Sequence, residues 1–137
     1  AICEAVRLPA VATPSAKLTE ALDTTEVVID PTGAELAAAT TGVTCAAGAL
    51  EATGSIVLSG FGDGTSLLSL FVDRHVAVLS ADGIVGELEG VLARLEAADA
   101  SAESGILATG PSATADMGAL VEGAHGPAEV HVIIEEG

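Results

Sequence analysis

Two short clusters near the C-terminus hold the side chains of this chain best suited to chemistry. The first is Gly110-Pro111-Ser112-Ala113-Thr114-Ala115-Asp116. Ser112 and Thr114 offer hydroxyls, and Asp116 can orient a hydroxyl or act as a base if burial raises its pKa. The second is His125-Gly126-Pro127. An imidazole aimed into the same crevice as Asp116 would make a pair suited to proton transfer near neutral pH. Each cluster also has a plainer explanation. Ser112 or Thr114 can cap a short helix with Asp116 in its first turn, and His125 can simply bond local backbone.

The remaining histidines carry less. His131 falls inside a β-branched run, opposite in face to Val130 and Val132, and reads as a core or edge residue. His75 precedes another run and reads as positional. With Arg74 beside it, however, it forms the densest positive site in the chain. The expected ligand crevice is therefore Ser112, Thr114, Asp116, His125, Gly126 and Arg74, with Asp116 and His125 as the candidate catalytic pair. No nucleophile elbow, metal-ligand set or cofactor motif accompanies them. The GFGDG of residues 60–64 lacks the Gly-Lys-Ser/Thr ending of a phosphate loop, and Asp63 would oppose a phosphate.

Elements on either side must position these clusters. Residues 105–109 (GILAT) and 129–135 read as the strands that lead into the first cluster and out of the second. Residues 116–121 between them read as one or two helical turns. Upstream, residues 26–30 (EVVID), 43–44, 55–58 (SIVL) and 76–79 are strand-like. Thr32 and Glu35 have capping-box spacing before an Ala-rich helix over 34–39. Residues 46–53 read as a helix ended by Gly54, and 66–71 as a helical turn or the start of a strand. The clearest amphipathic pattern follows Asp82, with Ile84, Val85, Leu88, Val91, Leu92 and Leu95 on one stripe. Residues 97–104 read as a polar connector. Residues 1–25, with Pro9 and Pro14 and no sustained period, read as an extended lead-in to an α/β core over 26–137. Strands alternating with helices predict an open, mostly parallel α/β sheet with helices on both faces, in a single domain. A loop that follows a strand in such a sheet is expected at its carboxyl edge, where ligands bind and backbone N–H groups can form an anion pocket.

Charge narrows the partners. Twenty Asp+Glu stand against four Lys+Arg, a net charge of −16. Such a surface repels phosphate backbones, which excludes nucleic acid and anionic membrane. No run approaches the roughly 18 to 20 apolar residues of a membrane helix, and no signal-peptide pattern opens the chain. The chain begins at Ala1, as a trimmed or domain-only sequence would. Cys3 and Cys45 suit either reduced thiols in the cytoplasm or a disulfide closing the N-terminal third.

At this point the residues resemble a known family. GPSATADMGALVEGAHGPAEVHVII is similar to the C-terminal signature of the LUD domain (DUF162-like) family, the lactate-utilisation proteins, and specifically their small C-type subunit. That pattern runs Gly-Pro-Ser-x-Thr-Ala-Asp, then Gly-x-His-Gly-Pro, then a Val/Ile-rich closing strand. GVTCAAGALEATGSIVL and SLLSLFVDRHVAVL resemble upstream family segments in the right order, so the likeness covers roughly residues 43–135. It implies a fold similar to the sugar-phosphate isomerase and CoA-transferase (NagB/RpiA-like) class. It also implies a cytoplasmic accessory role in oxidising L-lactate to pyruvate beside iron–sulfur protein subunits. The C-type member carries no cluster, in keeping with two cysteines where a cluster takes about four.

Three functions remain open: an accessory subunit that binds partners or a small carboxylate or phosphate at the crevice; a stand-alone enzyme acting on a small carboxylate or phosphorylated metabolite; and a structural domain. The sequence allows a homo-oligomer without specifying one.

The acidity itself fits a protein from a high-salt cytoplasm, where the Debye length shrinks to about 3 Å at 1 M and self-repulsion is screened. An ordinary acidic protein is the alternative. A single lysine (Lys17) and the lack of Asn, Gln, Trp and Tyr favour the former. Thermal unfolding read by circular dichroism should therefore show a melting point that climbs from dilute buffer to molar KCl. A melting point indifferent to salt would remove the high-salt explanation.

Overall fold

Val76, Ala77, Val78 and Leu79 each expose 2 % or less of their surface, so the strand that holds them is covered on both faces. Continuous apolar runs of this kind belong to parallel strands sandwiched between layers. The computed structural model describes residues 2–23, 26–59, 65–98, 105–115 and 118–136. Its first half comprises α1 (Ile2–Ala5), β1 (Ala10–Ala12), α2 (Ala16–Leu22), β2 (Val27–Ile29), α3 (Gly33–Ala38), β3 (Thr41–Cys45), β4 (Gly48–Leu50) and β5 (Ser55–Ser59). Then follow α4 (Thr65–Leu70), β6 (Arg74–Ser80), a 3-10 turn (Ala81–Gly83), β7 (Ile84–Val85) and α5 (Leu88–Ala98). The chain closes with β8 (Gly105–Ala108), β9 (Ala113–Thr114), β10 (Val121–Glu122) and β11 (Glu129–Glu135).

The main sheet has the order β11-β6-β3-β1-β2, and every neighbouring pair is parallel. Side chains alternate across it. Ala12, Val43, Val76 and Val78 join Ile2, Leu18 and Leu22 of α1 and α2 in one core. On the opposite face Ala77 and Leu79 meet Ile56 and Leu58 in a second core. The latter residues come from a four-stranded sheet of order β7-β4-β5-β8, antiparallel at β4·β5 and β5·β8. Helix α4 also packs on this face, so helices flank both sides of the parallel sheet, as its alternating pattern predicts.

Several elements form where local chemistry places them. The capping box is complete: Glu35 N–H donates to Thr32 Oγ1, and Thr32 N–H donates to the Glu35 carboxylate at 2.8 Å. β11 spans the expected residues. Others correct the sequence expectation. Residues 1–25 are no loose lead-in, because β1 is an interior strand, wholly buried, between β3 and β2. A three-residue strand flanked by helices of four and seven residues is too short to show a period. The prolines that suggested an extended segment bracket it.

Residues 46–53 do not form a helix. β4 pairs with β5, and Gly54 (φ 67°) ends a hairpin turn. Tertiary pairing overrides the alanine-rich propensity there. A Cβ at Gly48 would stand 2.6 Å from Gly83 O, a close approach that the strand pairing demands. The stripe after Asp82 is likewise divided: Ile84 and Val85 enter β7, parallel to β4, and the helix begins only at Leu88. In the 116–121 stretch, residues 116–117 lie outside the described set and 118–120 are not helical. Val121 opens β10, which pairs with β9.

β3 reaches α4 so closely that a Cβ at Gly42 would lie 2.7 Å from the backbone oxygen of Leu68. Gly42→Ala should therefore destabilise the fold by about 1–3 kcal/mol through overpacking. In urea unfolding this is read as a lower midpoint with an unchanged slope.

Candidate functional site

Ser112 ties the two C-terminal clusters together with all three of its polar groups. Its N–H donates to Pro127 O at 2.8 Å, and its carbonyl accepts the Gly123 N–H at 2.8 Å. Its hydroxyl accepts the His125 N–H at 3.2 Å. The positive φ of Gly110 (70°) turns the chain out of β8 toward this position, and that of Gly123 (74°) bends the partner segment to meet it. Gly126 adds a steric reason for its identity, since a Cβ there would lie 3.3 Å from Ser112 Cβ. Pro127 is buried, and Glu129 N–H then donates to Asp73 O as β11 enters the sheet.

This arrangement accounts for the spacing differently from a helix cap. Ser112 latches the His125 turn, while Thr114 lies in β9 opposite Val121. Asp116, half of the expected catalytic pair, lies outside the described residues. The location also differs from expectation. The cluster does follow the carboxyl end of β8, but β8 belongs to the second sheet. Its end meets the turns that precede β6 and β11, at the amino edge of the parallel sheet.

A cavity of about 180 Å³ opens there, lined by Ser69, His75, Thr109, Ser112, His125 and Pro127 among others. A neighbouring one of about 430 Å³ lies between residues 70–73 and 123–126. His125 borders both and is an exposed residue. His75, which reads as positional in the sequence, sits at the base of the smaller cavity and is almost fully buried. Its Nε2 lies 2.8 Å from Thr44 Oγ1. Burial lowers its pKa from 6.5 to about 4, so the ring is neutral at physiological pH. The only sequence signal for this role was its period-two alignment with Ala77 and Leu79. Which layer would cover that face was not legible.

Arg74 does not share the crevice. It projects from the opposite face of β6, buried against α1, where Nη1 donates to Ala5 O at 3.4 Å and lies 2.7 Å from His131 Nε2. Its guanidinium pairs with Glu129, which Arg7 also approaches at 3.3 Å. Hydrogen bonding with His131, then the charges of Arg7 and Arg74, holds the Glu129 carboxyl below its usual range. Lys17 pairs with Glu135, and Arg94 donates to Asp82 O. All four basic side chains of the protein are thus engaged away from both cavities. Cys3 and Cys45 are free thiols. Among the described residues no group of three His, Cys, Asp or Glu could hold a metal ion, and no helix is long and apolar enough to cross a membrane.

The open, mostly parallel sheet flanked by helices defines a Rossmann-like, NagB-like α/β domain. A solved structure of a DUF162 family protein from Deinococcus radiodurans is similar to it at 25% identity and TM-score 0.65. That likeness covers 99% of this chain and 79% of the other. The LUD domain family model matches residues 9–134, and the chain belongs to that family. The match begins well upstream of Val43, as befits a β1 that lies inside the sheet. No curated protein matches the chain.

Two measurements check the site's physics. Because the folded pKa of His75 lies below its unfolded value, the unfolded chain takes up the proton first as pH falls. The resulting stability loss, about 3 kcal/mol in full, accumulates from pH 6.5 down to about 4. Urea midpoints measured across this window should fall accordingly, and His75→Gln should flatten the slope above the carboxylate range. Ser112→Ala should cost about 0.5–1.5 kcal/mol for the lost hydroxyl bond. In amide exchange, protection should drop at His125 rather than across the sheet.

Proposed function

We propose that this LUD domain serves L-lactate utilisation as a cytoplasmic accessory subunit, working beside iron–sulfur protein partners rather than carrying out the oxidation itself. Membership of a family associated with lactate utilisation supports the pathway. The observation that favours an accessory role is electrostatic. A catalytic site for a small carboxylate needs a positive anchor in a protein whose net charge is −16. Here Arg7, Lys17, Arg74 and Arg94 are all committed elsewhere. The cavity mouth instead carries apolar surface. Phe71, which lines the larger cavity, is 68 % exposed, and its neighbour Leu70 in the same lining is also exposed. Exposed apolar clusters of this kind mark places where partners dock. The strong acidity fits a salt-rich cytoplasm.

A second reading, a stand-alone enzyme of the same fold class acting on a small carboxylate or phosphorylated metabolite, draws on one feature. His75 and His125 line the same cavity.

Affinity capture of the tagged chain from cells grown on L-lactate separates the two. Recovery of stoichiometric iron–sulfur proteins is the expected result, whereas a solitary protein counts against the accessory role. Under the enzyme reading, alanine at His125 or Asp116 abolishes growth on lactate at an unchanged melting point. Under the accessory reading, both variants still support growth.

A further inference from the structure

β11 forms the outer edge of the parallel sheet. Among the described residues it pairs only with β6, in an unbroken register from Glu129↔Arg74 to Glu135↔Ser80. An edge of this length normally carries a safeguard against pairing with another chain, such as a lysine, a proline or a bulge. β11 (EVHVIIE) has none of these, and its only acids, Glu129 and Glu135, stand at its two ends. On the face shared with His75, Ala77 and Leu79 it presents Val130, Val132 and Ile134. Val132 is 44 % and Ile134 52 % exposed.

We propose that this edge pairs antiparallel with β11 of a second copy of the chain, about a two-fold axis through Val132, so that two five-stranded sheets join into one. Apart from His131 and Ile133, the residue types of the strand are symmetric about that point. Pairing centred on Val132 sets Val132 against itself, Val130 against Ile134, His131 against Ile133, and Glu129 against Glu135. The first two pairings build a ladder of β-branched side chains, the kind of cross-strand contact that stabilises antiparallel pairs.

The Glu129–Glu135 pairing would be repulsive if both carboxylates were bare. They are the two acids in this strand, and both are already neutralised from within the chain. Glu129 is held by Arg7 and Arg74, and Glu135 by Lys17. Three of the four basic residues of a strongly acidic protein are therefore spent on the two ends of one edge strand. Each corner of the joined sheet brings one protomer's Arg7–Arg74–Glu129 cluster against the partner's Lys17–Glu135 pair, which sets three cations beside the strand's own two carboxylates. A closed two-fold contact also uses up the edge, since each copy caps the other. β11 and the basic residues at its two ends would pair in this way whether or not the domain is an accessory subunit.

The test uses the full chain in molar KCl, which screens the net charge of the copies. Sedimentation should show a dimer. Val132→Lys should sediment as a monomer with an unchanged far-UV spectrum. A wild-type monomer, or a Val132→Lys dimer, would overturn the proposal. Register is checked by oxidation in a Cys3→Ser background with peptide mapping. Val132→Cys places two thiols directly opposite, within disulfide reach. Ile134→Cys leaves its two copies about 14 Å apart, four residues along the strands. Rapid 132–132 crosslinking, at least about tenfold faster than 134–134, is the expected result. Equal rates, or crosslinking only at 134, would refute the pairing.

Discussion

β6 is hydrogen-bonded along both edges and buried on both faces, and the arrangement of every other layer depends on that double burial. Its even-numbered side chains, Val76 and Val78, need α1 and α2 above them. Its odd-numbered ones, Ala77 and Leu79, need the second sheet below. At about 25 cal/mol per Å² of apolar surface, neither face could be left to water without removing a large part of a typical domain's net stability. The same alternation sends the first two residues of the strand to opposite sides. Arg74 enters an ion-pair cluster beside α1, and His75 becomes the base of a cavity. Two neighbours in sequence thus live in unrelated electrostatic environments.

That separation decides what the crevice can do. With Arg74 on the far face, the cavity that His125 borders is bounded by the neutral His75 ring, hydroxyls and apolar walls. An anion would find little there to replace its hydration. The backbone work of Ser112 is of a different kind. It holds the 123–127 segment against the end of β8, so the His-Gly-Pro turn is a consequence of a serine 13 residues earlier. The motif's two halves belong together because of hydrogen bonds, before any chemistry is considered.

Much of the fold was readable because its signals are local. The Thr32–Glu35 box forms from side chains three residues apart, and β11 from seven consecutive residues with one strand-like character. The valine-rich run of β6 announces burial by composition alone. What misled was also local. Alanine-rich residues 46–53 favour a helix in isolation but pair with β5, and the stripe after Asp82 breaks at Gly86 to feed β7. The N-terminal 25 residues showed no period because their elements are only three to seven residues long.

By itself, the sequence determined the class of fold, the family signature and the acidic surface, since each depends on composition or on residues within a few positions of one another. Tertiary structure alone decided which residues share a space. It brought His75 under Ser112 and His125 and took Arg74 away to Glu129. It also set the C-terminal clusters at the amino edge of the parallel sheet instead of its carboxyl edge. The physical reason is that these outcomes follow from which face of a strand each layer covers and which sheet a strand joins. Both are settled by packing between segments 31 to 122 residues apart, where sequence periodicity carries no information.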